Sequence, residues 1–159
     1  MTDNQYINIM LQSLQKKLRV LDGIIQINKR QKEELENPSL DPDDFDKTVE
    51  EKSDLIEQLD LLDNGFEKLY EKVREELQAN KEEHKDEILQ MQNDIRLLTE
   101  KSMEIQTQEA RNKQLMEQKF TSVKKQVKEI RSSQKVVNQY YKNMMKKGYV
   151  EPHFLDDKK

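Results

Sequence analysis

Apolar residues recur along this chain in three stripes, each stepping by three and four positions as one face of a helix does. The first runs Ile7, Leu11, Leu14, Leu18, Leu21, Ile25 and Leu35, and Met10, Val20, Ile24 and Ile27 widen it into a face able to meet two partners. The second runs Leu55, Leu59, Leu62, Phe66, Leu69, Val73 and Leu77, extended by Phe45, Val49 and Ile56. The third carries Ile88, Met91, Ile95, Leu98, Ile105, Met116, Val123, Val127, Ile130, Val137, Tyr141 and Met144. The stripes predict helices over about 3–36, 42–79 and 85–147.

Their ends are marked by local chemistry. Thr2 followed by Gln5 is a short capping box for the first helix. Asn37-Pro38-Ser39-Leu40-Asp41-Pro42 stops that helix and starts the next. Asp41 is an N-cap, Pro42 takes the first helical position, and Asp43 and Asp44 face the positive end of the dipole. Leu40 and Phe45 have the spacing of a hydrophobic staple. So short a connection makes the two helices antiparallel neighbours. Asn64-Gly65 is a turn signal elsewhere, but the apolar period runs straight through it. Residues 78–87 hold almost nothing apolar, and burial demands a turn there, with Asn80 as terminator. Gly23, within the first helix, is either a close helix–helix approach or a tolerated defect.

The fold expected is therefore all-α, an antiparallel three-helix bundle with a long C-terminal helix. Residues 1–147 form its single domain and 148–159 a flexible tail. Polar residues at seam positions of the third helix, Ser102, Glu109 and Asn112, allow a break near 106–112. At 1.5 Å per residue the third helix is roughly 95 Å long, against roughly 50–57 Å for each of the others. A hairpin of the first two covers only about half of it. The uncovered part, roughly 117–147, contains Phe120, Val123, Val127, Ile130, Val136, Val137, Tyr140, Tyr141, Met144 and Met145. An apolar patch of that extent is a partner surface, and aromatic and Met side chains suit a helical partner. A fold-back of the helix, or pairing of two chains, is the alternative way to bury it.

Composition narrows the class. In 159 residues, 33% are apolar and 38% charged, which suits long helices burying a narrow seam. There is no cysteine, so no disulfide framework or thiolate metal site is available. No signal peptide and no membrane span are apparent, which leaves a cytoplasmic protein as the expectation. Charge is segregated: residues 41–87 hold 18 acids and 7 bases, a net −11, whereas residues 111–147 hold 11 bases and 2 acids, a net +9. A basic helix can bind nucleic acid, but no glycine-rich RNA signature accompanies this one and its apolar positions form a seam. Attraction between the acidic second and basic third helices is the preferred reading, and no nucleic-acid partner is expected. His84 and His153 lack a second ligand at helical spacing and are expected in solvent, as are the carboxylates. With no phosphate loop or nucleophile motif, neither a catalytic residue nor a cofactor is expected.

Several features together resemble a known family. They are the Pro/Asp-marked restart after the first helix, the long third helix with Asn112 and Leu115-Met116, and the ending Tyr140-Tyr141, Tyr149 and Phe154-Leu155-Asp156. The chain is similar to the flagellar export chaperones of the FlgN type, its ending to Gram-positive members. That resemblance implies a non-enzymatic cytoplasmic chaperone of flagellar type III export, which binds hook–filament junction proteins, or the filament cap protein, before secretion. It places the client site towards the C-terminal helix, here Phe120, Val123, Val127, Ile130, Val137, Tyr141 and Met144. It also assigns an export-gate contact to Tyr140 or Tyr141. A structural coiled-coil protein that homodimerises through the same surface is the alternative.

Overall fold

Helix α1 spans Asp3–Glu36, α2 spans Pro42–Ala79 and α3 spans Lys85–Lys119. The structure, a computed structural model, describes residues 2–119. The starts of α1 and α2 have their expected chemistry. Thr2 Oγ1 accepts from the Gln5 backbone N–H at 3.3 Å while Gln5 Oε1 accepts from the Thr2 N–H at 2.8 Å. Two N–H groups that the helix leaves unpaired are thereby satisfied. Asp41 Oδ1 caps α2 through the Asp43 N–H at 3.0 Å. Leu40 packs against the cluster that buries Phe45, so the staple across that cap is formed.

The architecture is a three-helix bundle with α1 packed against both α2 and α3. Cross-helix partners fix its directions. Arg30 meets Glu51 and Lys17 meets Asp63, so α2 runs antiparallel to α1. Gln15 meets Asp94, Asp22 meets Lys101 and Asn37 meets Lys119, so α3 runs parallel to α1. The middle position explains why α1 carries the widest apolar face: Ile7, Met10, Leu14, Leu21 and Ile24 are all at most 1% exposed.

Asn64-Gly65 lies inside α2, as the uninterrupted period predicts. Helix α3 likewise passes through 106–112 without a break. Ser102, Glu109 and Asn112 are buried there, and Glu109 and Asn112 are hydrogen-bonded across the bundle, so polar seam positions do not interrupt the helix. A Cβ placed on Gly23 would stand 3.2 Å from Leu55 Cδ1, so this glycine does mark a close approach of α1 and α2.

The core is in two parts. The larger gathers Ile7 to Ile25 of α1, Ile56 to Leu77 of α2 and Met91 to Ile105 of α3. The smaller consists of Leu35, Phe45 and Met116, flanked by Leu40, Val49 and Leu115.

Candidate functional site

Polar side chains occupy the ground between the two apolar clusters. Heptad steps place them there. Asn28 falls on the series Leu14, Leu21, Leu35, while Lys52 falls on Phe45, Leu59, Phe66, Val73, and Glu109 on Ile95, Ser102, Met116. Each helix thus turns a polar residue to the axis at one level. Lys52 Nζ donates to Glu109 Oε1 at 2.7 Å, Asn28 Oδ1 at 2.9 Å and Gln31 Oε1 at 2.9 Å. An ammonium has three N–H bonds, and all three are used.

The layer extends outward on both sides. Gln31 Nε2 donates to Thr48 Oγ1 at 2.9 Å, and the Thr48 hydroxyl donates to the Phe45 carbonyl at 2.5 Å. Asn28 Nδ2 donates to Gln108 Oε1 at 3.1 Å. Two α3 amides reach the α1 backbone: Gln108 Nε2 donates to the Ile25 carbonyl at 3.3 Å and Asn112 Nδ2 to the Asn28 carbonyl at 2.9 Å. Those bonds set the register of α3 on α1. Burial pushes the Lys52 ammonium below its ordinary value of 10.5, against the charge and hydrogen bond of Glu109, which hold its proton on. Glu109 Oε2 and Asn112 Oδ1 are buried without a hydrogen-bond partner.

A second buried ion pair joins Lys17 of α1 to Asp63 of α2, and the Lys17 ammonium lies 5.4 Å from the centre of the Phe66 ring. The cation thus has a carboxylate on one side and a π-face on another. On α3, Asp94 is buried and accepts from Gln15 Nε2 and Gln90 Nε2, both at 2.9 Å. Burial raises its carboxyl above the usual range, and the two amides oppose that shift.

The turn between α2 and α3 has its own clasp. Asn80 Nδ2 donates to both carboxylate oxygens of Glu76, at 2.7 and 2.9 Å, and His84 Nε2 lies 3.0 Å from Glu76 Oε2. These hydrogen bonds, that to His84 first, hold the Glu76 carboxyl below its ordinary value. Glu83 brings a third candidate ligand atom within 4.8 Å of the other two. Asn80 and His84 already occupy the Glu76 oxygens, and Glu83 is exposed. The group reads as the fastening of a turn.

Three expectations about side-chain placement are overturned. His84 is buried, not solvated, because Glu76 draws it against the end of α2. Asp63 and Asp94 are buried carboxylates with a cation or amide partner, as is Glu109 at its seam position. The expected attraction between acidic α2 and the basic stretch 111–147 falls mostly outside the described residues. Within the core, an ion pair has its cation, Lys52, on α2 and its anion, Glu109, on α3, and at the surface Asp22 of α1 takes Lys101 of α3 at 2.7 Å.

On the surface, Val20, Leu55, Leu61 and Leu62 line an open groove between α1 and α2, with Lys16, Arg19 and Gln58 at its edges. Leu61 is 72% exposed there.

Phe120, Val123, Val127, Ile130, Val137, Tyr141 and Met144, together with Tyr140, lie outside the described residues, as does the 148–159 tail. What the structure does locate is the end of the hairpin. Lys119 Nζ donates to the Asn37 carbonyl at 2.7 Å, which sets this part of α3 level with the α1–α2 connection. Among the described residues no helix is long and apolar enough to cross a membrane. Comparison with protein-family models, with characterised proteins and with solved structures finds no match.

Proposed function

We propose that this chain is a protein-binding module, a cytoplasmic chaperone of flagellar export that receives an amphipathic helix of its client on the apolar positions beyond Lys119. One observation carries the reading: α1 ends and α2 begins beside Lys119, at their connection through Asn37. The apolar positions from Phe120 to Met144 come after that point in the sequence. They carry a basic rim, since residues 120–147 contain eight Lys and Arg and one acid, Glu129. Such a surface favours an acidic amphipathic partner, held by burial of its apolar face and oriented by the rim charges. The hook–filament junction subunits, or the filament cap subunit, are the clients this reading assigns. Tyr140 or Tyr141 is the assigned contact to the export gate.

Recovery of the tagged chain from a motile bacterial host tests it. Junction or cap subunits should co-purify. A variant with Val127, Ile130 and Val137 all changed to Ser should lose them while keeping its helical circular dichroism. Flagellar subunits absent from both preparations would overturn the reading. So would a dimer that persists at high salt and is lost in the triple variant, since the stripe would then serve self-association.

A further inference from the structure

We infer that the polar layer around Lys52 is a release point, at which the stretch of α3 from Gln108 to Lys119 opens from the α1–α2 hairpin without unfolding the rest of the bundle. Above the layer, α3 is held by a continuous apolar core that includes Met91, Ile95, Leu98 and Ile105. Below it, among the described residues, Met116 is the one fully buried apolar side chain of α3, set against Leu35 and Phe45. Between the two, α3 is held by an ion pair and three amides.

Apolar burial and polar contacts respond differently to water. Exposing Met91 or Ile95 creates unfavourable apolar surface. Exposing Glu109 and Asn112 returns two orphaned acceptors, Glu109 Oε2 and Asn112 Oδ1, to solvent that can donate to them. The Lys52 ammonium likewise regains hydration that burial took from it, which offsets the loss of Glu109, while Asn28 and Gln31 of α1 stay bonded to it. Opening this stretch therefore sacrifices, beyond the polar contacts of the layer, the seat of Met116 and the hydrogen bond from Lys119 to Asn37. Local openings of this kind occur in contiguous units whose boundaries follow breaks in apolar packing.

The opening stands without any assigned function. Its use rests on the chaperone reading: it would add Leu35, Phe45 and Met116 to the surface that receives the client, and so regulate how much of that surface is available.

Thiol labelling of the full chain tests it cleanly, because the chain has no cysteine of its own. Met91 and Met116 are both at most 1% exposed, one on each side of the layer. In native buffer the thiol of a Met116→Cys variant should react at least tenfold faster than that of a Met91→Cys variant. Adding Glu109→Gln, which leaves Lys52 without its counter-ion, should speed labelling at 116 about tenfold more than at 91. Changing Lys52 and Glu109 both to Met should bring the two rates together. Equal rates at 91 and 116 in the parent chain would overturn the inference, since only global opening would then operate. A difference that neither layer variant alters would overturn it too, because opening at 116 would then not depend on the layer.

Discussion

Lys52 Nζ stands 2.7 Å from Glu109 Oε1 at the axis of the bundle, and each side chain is only 3% exposed. Through this pair α2 and α3 exchange charge inside the core rather than at its edge. Glu109→Ala removes the anion and leaves a buried cation, so stability should fall by about 3–5 kcal/mol. Replacing both residues by Met should fall far less, or be neutral, because no charge is then left uncompensated. Urea denaturation followed by circular dichroism at 222 nm measures both, and a double-mutant cycle isolates the coupling.

Met116→Ala probes the smaller cluster. The side chain is buried against Leu35 and Phe45, and truncation of a buried Met leaves a cavity. A loss of about 2–4 kcal/mol is expected by the same urea titration. A loss below about 0.5 kcal/mol would mean that α3 is not seated on the hairpin at this level.

The two glycines of α2 and α1 separate propensity from packing. A Cβ at Gly65 meets nothing within 4 Å, so Gly65→Ala should stabilise the bundle by up to about 1 kcal/mol. Gly23→Ala has the same propensity gain, but its Cβ would press on Leu55 Cδ1 at 3.2 Å. Leu55 lies half-buried at an open groove and can shift, so a smaller gain is expected. Thermal melts of the two variants beside the parent check the order.

The clasp at the α2–α3 turn should leave a signature in acid. His84 and Asn80 hold the Glu76 carboxyl below its ordinary value of 4.5. A carboxyl lowered on folding contributes stability that is fully present above its unfolded value and is lost as pH falls through the folded one. The parent should therefore melt above a Glu76→Gln variant near neutral pH, and the gap should close as pH drops below about 4.5. A gap independent of pH would show that the carboxylate charge has no part in the turn.

Much of this fold is legible in the residue pattern. The bounds of α1 and α2 and the start of α3 follow from the apolar period together with Thr2, Asp41, Pro42 and Asn80. Local chemistry sets such ends, because a cap is made within a few residues of the chain. His84 was not legible in the same way. Its partner Glu76 lies across a turn, and no spacing rule on one helix brings the two together. The polar layer left a partial signal. Asn28, Lys52 and Glu109 each interrupt a heptad series, which is visible in the sequence one helix at a time.

What the sequence by itself determined is that three amphipathic helices form, where the described ones begin and turn, and which faces they bury. Period and capping are properties of each segment, and they need no knowledge of its neighbours. Only the tertiary structure decided that the three interruptions stand at one level, so that Lys52 finds Asn28, Gln31 and Glu109 together. The same packing drew Asp63 and His84 inside and set Lys119 level with Asn37. Alignment between helices depends on how far each slides along the others. That offset is settled by the sum of contacts along the whole bundle, which no single stripe contains.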